Sequence, residues 1–252
     1  MIELNKIHNL DARVLLGELG SESVHLIVTS PPYPGVCNMW GDLFKPERFR
    51  EAHEFLSEVW DGCLNALKPG CKLIINIANT KRRPYLPNTH KIYEWAERKC
   101  EPLGEIIWNK GYGPTGTAWG SFRSPSDPSL ADQHEYILVF RKYGERERPA
   151  EFEKIGLRDF KSWRNSVWNI VPAKASEVGH TAPFPEEIPK RLIMLYSFAG
   201  EIVCDPFAGS GTTCRVAEKL GRRWVGADIK PEYVDLAHKY IEACRAQGAL
   251  AL

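Results

Sequence analysis

Two short stretches of this chain concentrate the residue types that can do chemistry, and both follow apolar runs. The first is Thr29-Ser30-Pro31-Pro32-Tyr33, directly after Val24-His25-Leu26-Ile27-Val28. A hydroxyl, two ring-locked residues and a phenol in consecutive positions suit the handling of a weakly nucleophilic amino group, such as the exocyclic nitrogen of cytosine or adenine. The lone pair of that nitrogen is delocalised into the ring. A catalyst must therefore accept its N–H hydrogen bonds and hold it in line with an electrophile. Ser30 offers a hydroxyl acceptor, and the stiff Pro31-Pro32 unit aims the Ser30 and Pro31 carbonyls. Tyr33 gives an aromatic face on which an extruded base can stack. Cys37 is the nearby thiol. Thiol attack on the cytosine ring usually comes with a Pro-Cys pair, which is missing here, so no role is expected for it.

The second stretch is Asp205-Pro206-Phe207-Ala208-Gly209-Ser210-Gly211-Thr212-Thr213, after Glu201-Ile202-Val203-Cys204. Gly209 and Gly211 let backbone approach a ligand closely and permit positive φ. A helix starting near Thr212 would present unpaired N–H groups and a positive dipole end. Asp228 closes the next apolar run, Trp224-Val225-Gly226-Ala227, where an acidic residue of a nucleotide-binding unit meets ribose hydroxyls. Three ligands compete for such a loop. A P-loop needs Gly-Lys-Ser/Thr, and no Lys follows these glycines. A dinucleotide site needs G-x-G-x-x-G, which is absent, and Asp205 stands ahead of the glycines. S-adenosylmethionine (AdoMet) fits best, with Asp205 against its cationic amino group and Asp228 on its ribose.

These stretches need a scaffold that brings strand ends together. Strand-like runs occupy 2–7, 24–28, 72–78, 104–108, 136–140, 202–204 and 224–227, mostly continuous in Ile, Leu and Val as in a sheet covered on both faces. Helical periodicity fits 48–67, 90–99, 185–196, 212–220 and 231–245, with Pro185 and Pro231 suited to first turns. Strands alternating with helices predict a doubly wound α/β fold. The Gly-, Pro- and Ser-rich stretch 111–133 breaks the pattern and carries Trp119, Phe122 and Arg123. A second insertion runs from 142 to about 167. Loops this long are usually functional or disordered, and function is favoured for the first.

The remaining properties set limits. The 252 residues, 43% hydrophobic and 26% charged, suit one soluble domain over 1–252. No apolar run approaches the roughly 18 residues of a membrane span. The first residues lack a signal peptide, and seven scattered cysteines without C-x-x-C spacing argue against disulfides and zinc, so a cytoplasmic location is expected. A net charge of +1 neither favours nor excludes nucleic acid, but Lys81-Arg82-Arg83 and the eight Lys/Arg against five Asp/Glu in 141–164 are local basic runs. Trp108 and Trp168 are expected in the core. His25 and His238 are expected to be structural, and His53 to lie on a helix surface.

On these motifs the chain resembles, over nearly its whole length, the permuted (beta-class) AdoMet-dependent amino-methyltransferases of DNA, in which the catalytic motif precedes the cofactor motif. The resemblance implies a Rossmann-like, seven-stranded sheet with the two motif strands side by side. It makes Ser30, Pro31, Pro32 and Tyr33 catalytic, and sets Asp205, Phe207, Ala208, Gly209, Ser210, Gly211 and Thr212 around AdoMet. Asp228 takes the ribose and Ile229 lies against the adenine ring. The stretch Gly179-His180-Thr181-Ala182-Pro183-Phe184-Pro185-Glu186-Glu187 closes over the methionine moiety, bringing in His180 and Phe184. Asp11 falls where the family has an acid near the adenine amino group, although Gly-Asp is commoner there than this chain's Leu10-Asp11.

Target recognition falls to insertions around 111–133 and 142–166, with Trp40 and Trp119 at bases, Lys81, Arg82 and Arg83 at phosphates, and Arg123 also binding DNA. Ser at the head of the motif goes mostly with N4 of cytosine, and Asp with N6 of adenine. The expectation is an N4-cytosine methyltransferase that flips its base from duplex DNA, without a covalent enzyme intermediate or a metal. N6-adenine methylation is the alternative. A non-catalytic, AdoMet-retaining nucleic-acid-binding protein is the reading from another class. The expected partners are double-stranded DNA, a second copy forming a homodimer, and a cognate restriction endonuclease.

Overall fold

Uninterrupted apolar runs can be satisfied only by a sheet with helices on both faces, and they build one. The computed structural model describes residues 2–35, 41–80, 85–111, 120–131, 133–172 and 185–249. Eight strands form a single sheet: β1 (Lys6–His8), β2 (Val24–Thr29), β3 (Leu67–Ile77), β4 (Glu101–Asn109), β5 (His134–Arg141), β6 (Val167–Asn169), β7 (Ile202–Asp205) and β8 (Arg223–Ala227). Their order is β1-β8-β7-β2-β3-β5-β4-β6. Only β5 runs against its neighbours, β3 and β4; the other pairings are parallel.

The sheet has one strand more than the seven expected. Val167-Trp168-Asn169, at the end of the second insertion, pairs with Ile107-Trp108-Asn109 and extends the edge. Three residues with alternating exposure are too short a run to stand out in the sequence.

The described helices are α1 (Ala12–Leu19), α2 (Phe49–Ala66), α3 (Asn88–Ala96), α4 (Leu157–Trp163), α5 (Glu187–Tyr196), α6 (Thr212–Lys219) and α7 (Pro231–Ala249). On α2 the buried positions 52, 53, 56, 59, 60, 63 and 66 recur at three- and four-residue spacing, so one stripe faces the sheet. Leu15, Leu16, Leu56, Trp60, Ile92 and Trp95 pack one face of the sheet. Ile188, Leu192, Val216, Ala237 and Ile241 pack the other.

Trp108 and Trp168 are buried as expected. His25 accepts a hydrogen bond from the Ile202 amide, and His238 lies 2.9 Å from the Ile7 carbonyl. His53 is not a surface residue. It is buried, with Nε2 2.9 Å from Oδ1 of Asn88 at the start of α3, because α2 packs against that helix.

The strand order sets where a ligand can sit. From β2 the chain moves outward to β3, and from β7 it moves the other way to β8, so the switch point lies between β2 and β7. Because β4 and β5 are antiparallel neighbours, stretch 110–133 joins them at the same sheet edge as the ends of β2, β3 and β7. The second insertion begins at the other edge. Gly70 N donates to the Lys142 carbonyl, and Arg146 donates to the Tyr196 carbonyl at 2.7 Å and to Glu201. Lys142 and Arg146 are therefore held at this edge, and the insertion leads on from there to α4 and β6.

Candidate active site at the switch point

Asp205 ends β7 inside the protein, 1% exposed. Its Oδ1 accepts from Thr29 Oγ1 at 2.7 Å and from the Phe207 amide at 3.1 Å. Burial nevertheless pushes its pKa up to about 6. No cation among the described residues pairs with it, so this buried carboxyl is left for a positively charged group of a ligand. The Thr29 bond joins residues 176 positions apart and sets the catalytic stretch directly against the cofactor loop.

Beyond Asp205 the backbone bends tightly. Gly211 is left-handed at φ 75, and a Cβ there would lie 2.8 Å from Ile7 Cδ1. It precedes α6 without any side-chain cap, so the first amides of that helix stay open. The Ala208 amide donates to the Ala227 carbonyl at 2.8 Å, tying the loop to β8. Asp228 accepts from the Gly209 amide at 3.0 Å and the Lys230 amide at 2.9 Å, and burial raises its pKa. Ile229 is 68% exposed beside it, an apolar surface suited to a ring. Buried acid, open helix end, half-buried acid and exposed Ile are groups that could hold the ammonium, carboxylate, ribose and adenine of AdoMet in turn. Asn9 donates to the carbonyls of Asp228 and Ile229, both at 3.0 Å, so the segment around Asp11 does adjoin this site. The Asp11 carboxylate itself caps α1, accepting from the Arg13 amide at 2.8 Å and its guanidinium at 3.0 Å.

Across the crevice, Ser30 and Tyr33 belong to a polar cluster that sequence reasoning missed. Ser30 Oγ lies 3.0 Å from Tyr33 Oη, and Tyr33 Oη donates to Glu135 Oε2 at 2.8 Å. Asn76 Nδ2 donates to Tyr33 Oη at 2.7 Å and to Glu135 at 2.6 Å. Lys110 forms an ion pair with the other Glu135 oxygen while lying 4.9 Å from the centre of the Trp108 ring. Burial, reinforced by the Glu135 charge, pushes the Tyr33 phenol well above its ordinary pKa. Asn76 comes from β3, Glu135 from the start of β5, and Lys110 from the residue after β4. One signal was available: Asn76 is a lone polar residue in Leu73-Ile74-Ile75-Asn76-Ile77, and buried polar residues in such runs need a reason.

Cys37, Trp40, Lys81, Arg82, Arg83, Trp119, His180 and Phe184 lie outside the described residues. Arg123 sits in a turn closed by the Gly120–Pro128 bridge and by the Ser121 amide donating to the Asp127 carbonyl at 2.9 Å. It is exposed and left-handed at φ 55, next to an exposed Phe122. No helix among the described residues is long and apolar enough to cross a membrane.

Comparison with known proteins agrees with this geometry. The pattern of the DNA methylase family matches residues 24–239. The Type II methyltransferase M.MjaI of Methanocaldococcus jannaschii is 34% identical over 87% of this chain and 85% of its own length. The DNA adenine methyltransferase YhdJ of Escherichia coli is 28% identical over 98% of this chain and 86% of its own. The crystal structure of a putative DNA modification methylase from Thermus thermophilus, complexed with S-adenosyl-L-methionine, superimposes with a TM-score of 0.79 at 30% identity, covering 95% of this chain and 93% of that one. With the catalytic stretch and the AdoMet loop hydrogen-bonded to each other across one crevice, the chain belongs to the DNA methylase family and is an AdoMet-dependent DNA amino-methyltransferase.

Proposed function

We propose that this enzyme methylates N4 of a cytosine flipped out of duplex DNA within a short recognition sequence. The observation that carries the base assignment is Ser30, a hydroxyl at the head of the motif, since Ser there goes mostly with cytosine in the enzymes it resembles. Bound along Asp205, Asp228 and the start of α6, AdoMet supplies a methyl group made electrophilic by its sulfonium. The chain supplies the rest. Ser30 Oγ and the Ser30 and Pro31 carbonyls accept the N–H bonds of the amino group, and the Tyr33 ring stacks on the base.

His180 and Phe184 close over the methionine part. Target reading belongs to 111–133, through Trp119 and Arg123, with Trp40 at the base and Lys81, Arg82 and Arg83 on phosphates. The reading also includes two copies of the chain acting together on DNA, and a cognate restriction endonuclease as partner. The name of YhdJ favours a second reading, N6 of adenine.

Incubation with AdoMet and unmethylated genomic DNA, followed by nucleoside mass spectrometry, tests the assignment. N4-methylcytosine is expected. N6-methyladenine would transfer the same site to the second reading, and neither product would refute both.

A further inference from the structure

The Ser30–Tyr33–Glu135 series carries a direction that the catalytic motif alone does not specify. Glu135, beside the Lys110 ammonium, can only accept at Oε2, so the single hydroxyl proton of Tyr33 points at it. The oxygen of Tyr33 must then accept from its other neighbours, Asn76 Nδ2 and Ser30 Oγ. Asn76 cannot be turned the other way, because Oδ1 would then face the Glu135 carboxylate. The Ser30 proton is therefore committed to Tyr33, and the Ser30 lone pairs are what remains for a substrate. A hydroxyl that could equally donate would repel half of its encounters with an N–H group. Here it can only accept.

We propose that Glu135 is the positioning residue and terminal proton acceptor of methyl transfer, acting through Tyr33 and Ser30. The inference rests on the amino-methyltransferase reading above. As the exocyclic nitrogen takes the methyl group it must lose one proton. That N–H proton passes to Ser30 Oγ, the Ser30 proton passes to Tyr33 Oη, and the Tyr33 proton passes to Glu135 Oε2. One N–H bond breaks and one O–H bond forms on Glu135, while Ser30 and Tyr33 end as neutral hydroxyls. The hops along the chain span 3.0 and 2.8 Å, both within hydrogen-bond range. Glu135 then releases its proton beside Lys110, whose side chain is 31% exposed and opens the cluster to solvent.

The test uses the intact enzyme with duplex DNA, labelled AdoMet and single turnovers across pH 5.5–9. Glu135→Gln keeps shape and removes the acceptor, so methyl transfer should fall about 100-fold, a typical general-base effect. AdoMet affinity by calorimetry and Tm should stay unchanged. Glu135→Asp should restore part of the rate. Tyr33→Phe cuts the same series and keeps the ring, so the double variant should be no slower than either single one. In the cofactor-free protein the 13Cζ resonance of Tyr33 should move in Glu135→Gln, reporting the lost hydrogen bond without any turnover.

A Glu135→Gln rate within threefold of wild type at every pH, or additive losses in the double variant, would overturn the relay. So would a loss of rate accompanied by equal losses of AdoMet affinity and Tm, which marks mere scaffolding. If the wild-type enzyme methylates neither cytosine nor adenine in DNA, the underlying reading fails and the relay with it. A wild-type enzyme that methylates while Glu135→Gln matches it refutes the relay alone.

Discussion

Asp205 should make this enzyme less stable at neutral pH than its fold requires, and Asp205→Asn should expose the effect. A carboxyl moved from its ordinary 3.8 to about 6 by burial holds a proton in the folded state that the unfolded chain has already lost. Between those values folding becomes less favourable as pH rises. At roughly 1.4 kcal/mol per pH unit the accumulated cost is about 3 kcal/mol, fully present above about pH 7 and absent below about pH 4. The amide removes this cost but is a weaker acceptor for Thr29 Oγ1 and the Phe207 amide, so a net gain of about 1–2 kcal/mol is expected. For a chain of this size that is a Tm rise of about 3–6 °C at pH 7.5. Cofactor-free wild-type and variant proteins should be melted in parallel from pH 5 to 8. The gap should close on acidification, because wild-type Asp205 then carries its proton. AdoMet affinity should fall in the variant if, as proposed, the acid meets the ligand's cation. A gap that ignores pH, or a variant that melts lower at pH 7.5, would refute the argument.

Thr29→Val removes a buried donor to Asp205 and should cost about 1–2 kcal/mol in stability. It should also lower AdoMet affinity and methyl-transfer rate together; a change in only one would mean that the two motifs are not coupled through this bond. Gly226→Ala places a Cβ 2.9 Å from Cys214 Sγ and 3.0 Å from Ala208 Cβ, and overpacking of that kind should cost about 1–3 kcal/mol. Adding Cys214→Ala should recover part of the loss in a melting experiment. Arg123→Ala should weaken binding of the target duplex by about 1–3 kcal/mol and relax specificity, leaving AdoMet binding intact. Fluorescence anisotropy titrations with target and unrelated duplexes measure both.

The two motifs were legible because each is contiguous and each ends a strand that announces itself by composition. Strand order was partly legible, because the resemblance to the amino-methyltransferases implied β7 beside β2. The Glu135 cluster was not. Asn76, Lys110 and Glu135 are separated in sequence and meet only because antiparallel β5 is inserted between β3 and β4. His134-Glu135-Tyr136 reads as the start of an ordinary strand, and nothing local says that its carboxylate faces a phenol 102 positions away. Short elements were lost for another reason: α1 and α4 span two turns each, too brief for periodicity to stand out. Charge composition in the run after β5 did not reveal that Lys142 and Arg146 would be tied to Gly70, Tyr196 and Glu201.

The placement of β7 between β2 and β8 also governs how the chain is made. During synthesis β2, β3, β5, β4 and β6 all emerge before Ile202, so five strands can pair while β2 still has one open flank. That flank belongs to Val24–Thr29, an apolar, β-prone hexamer suited to intermolecular pairing until β7 arrives. β1 is in the same position at the opposite end of the chain, emerging first and waiting for its neighbour β8. A fragment ending before Ile202 should accumulate as insoluble aggregate on expression, whereas the full chain stays in solution. On the ribosome Thr29 meets its partner Asp205 only once β7 has emerged, and Asp228 follows β8, so the two motifs come together late in synthesis.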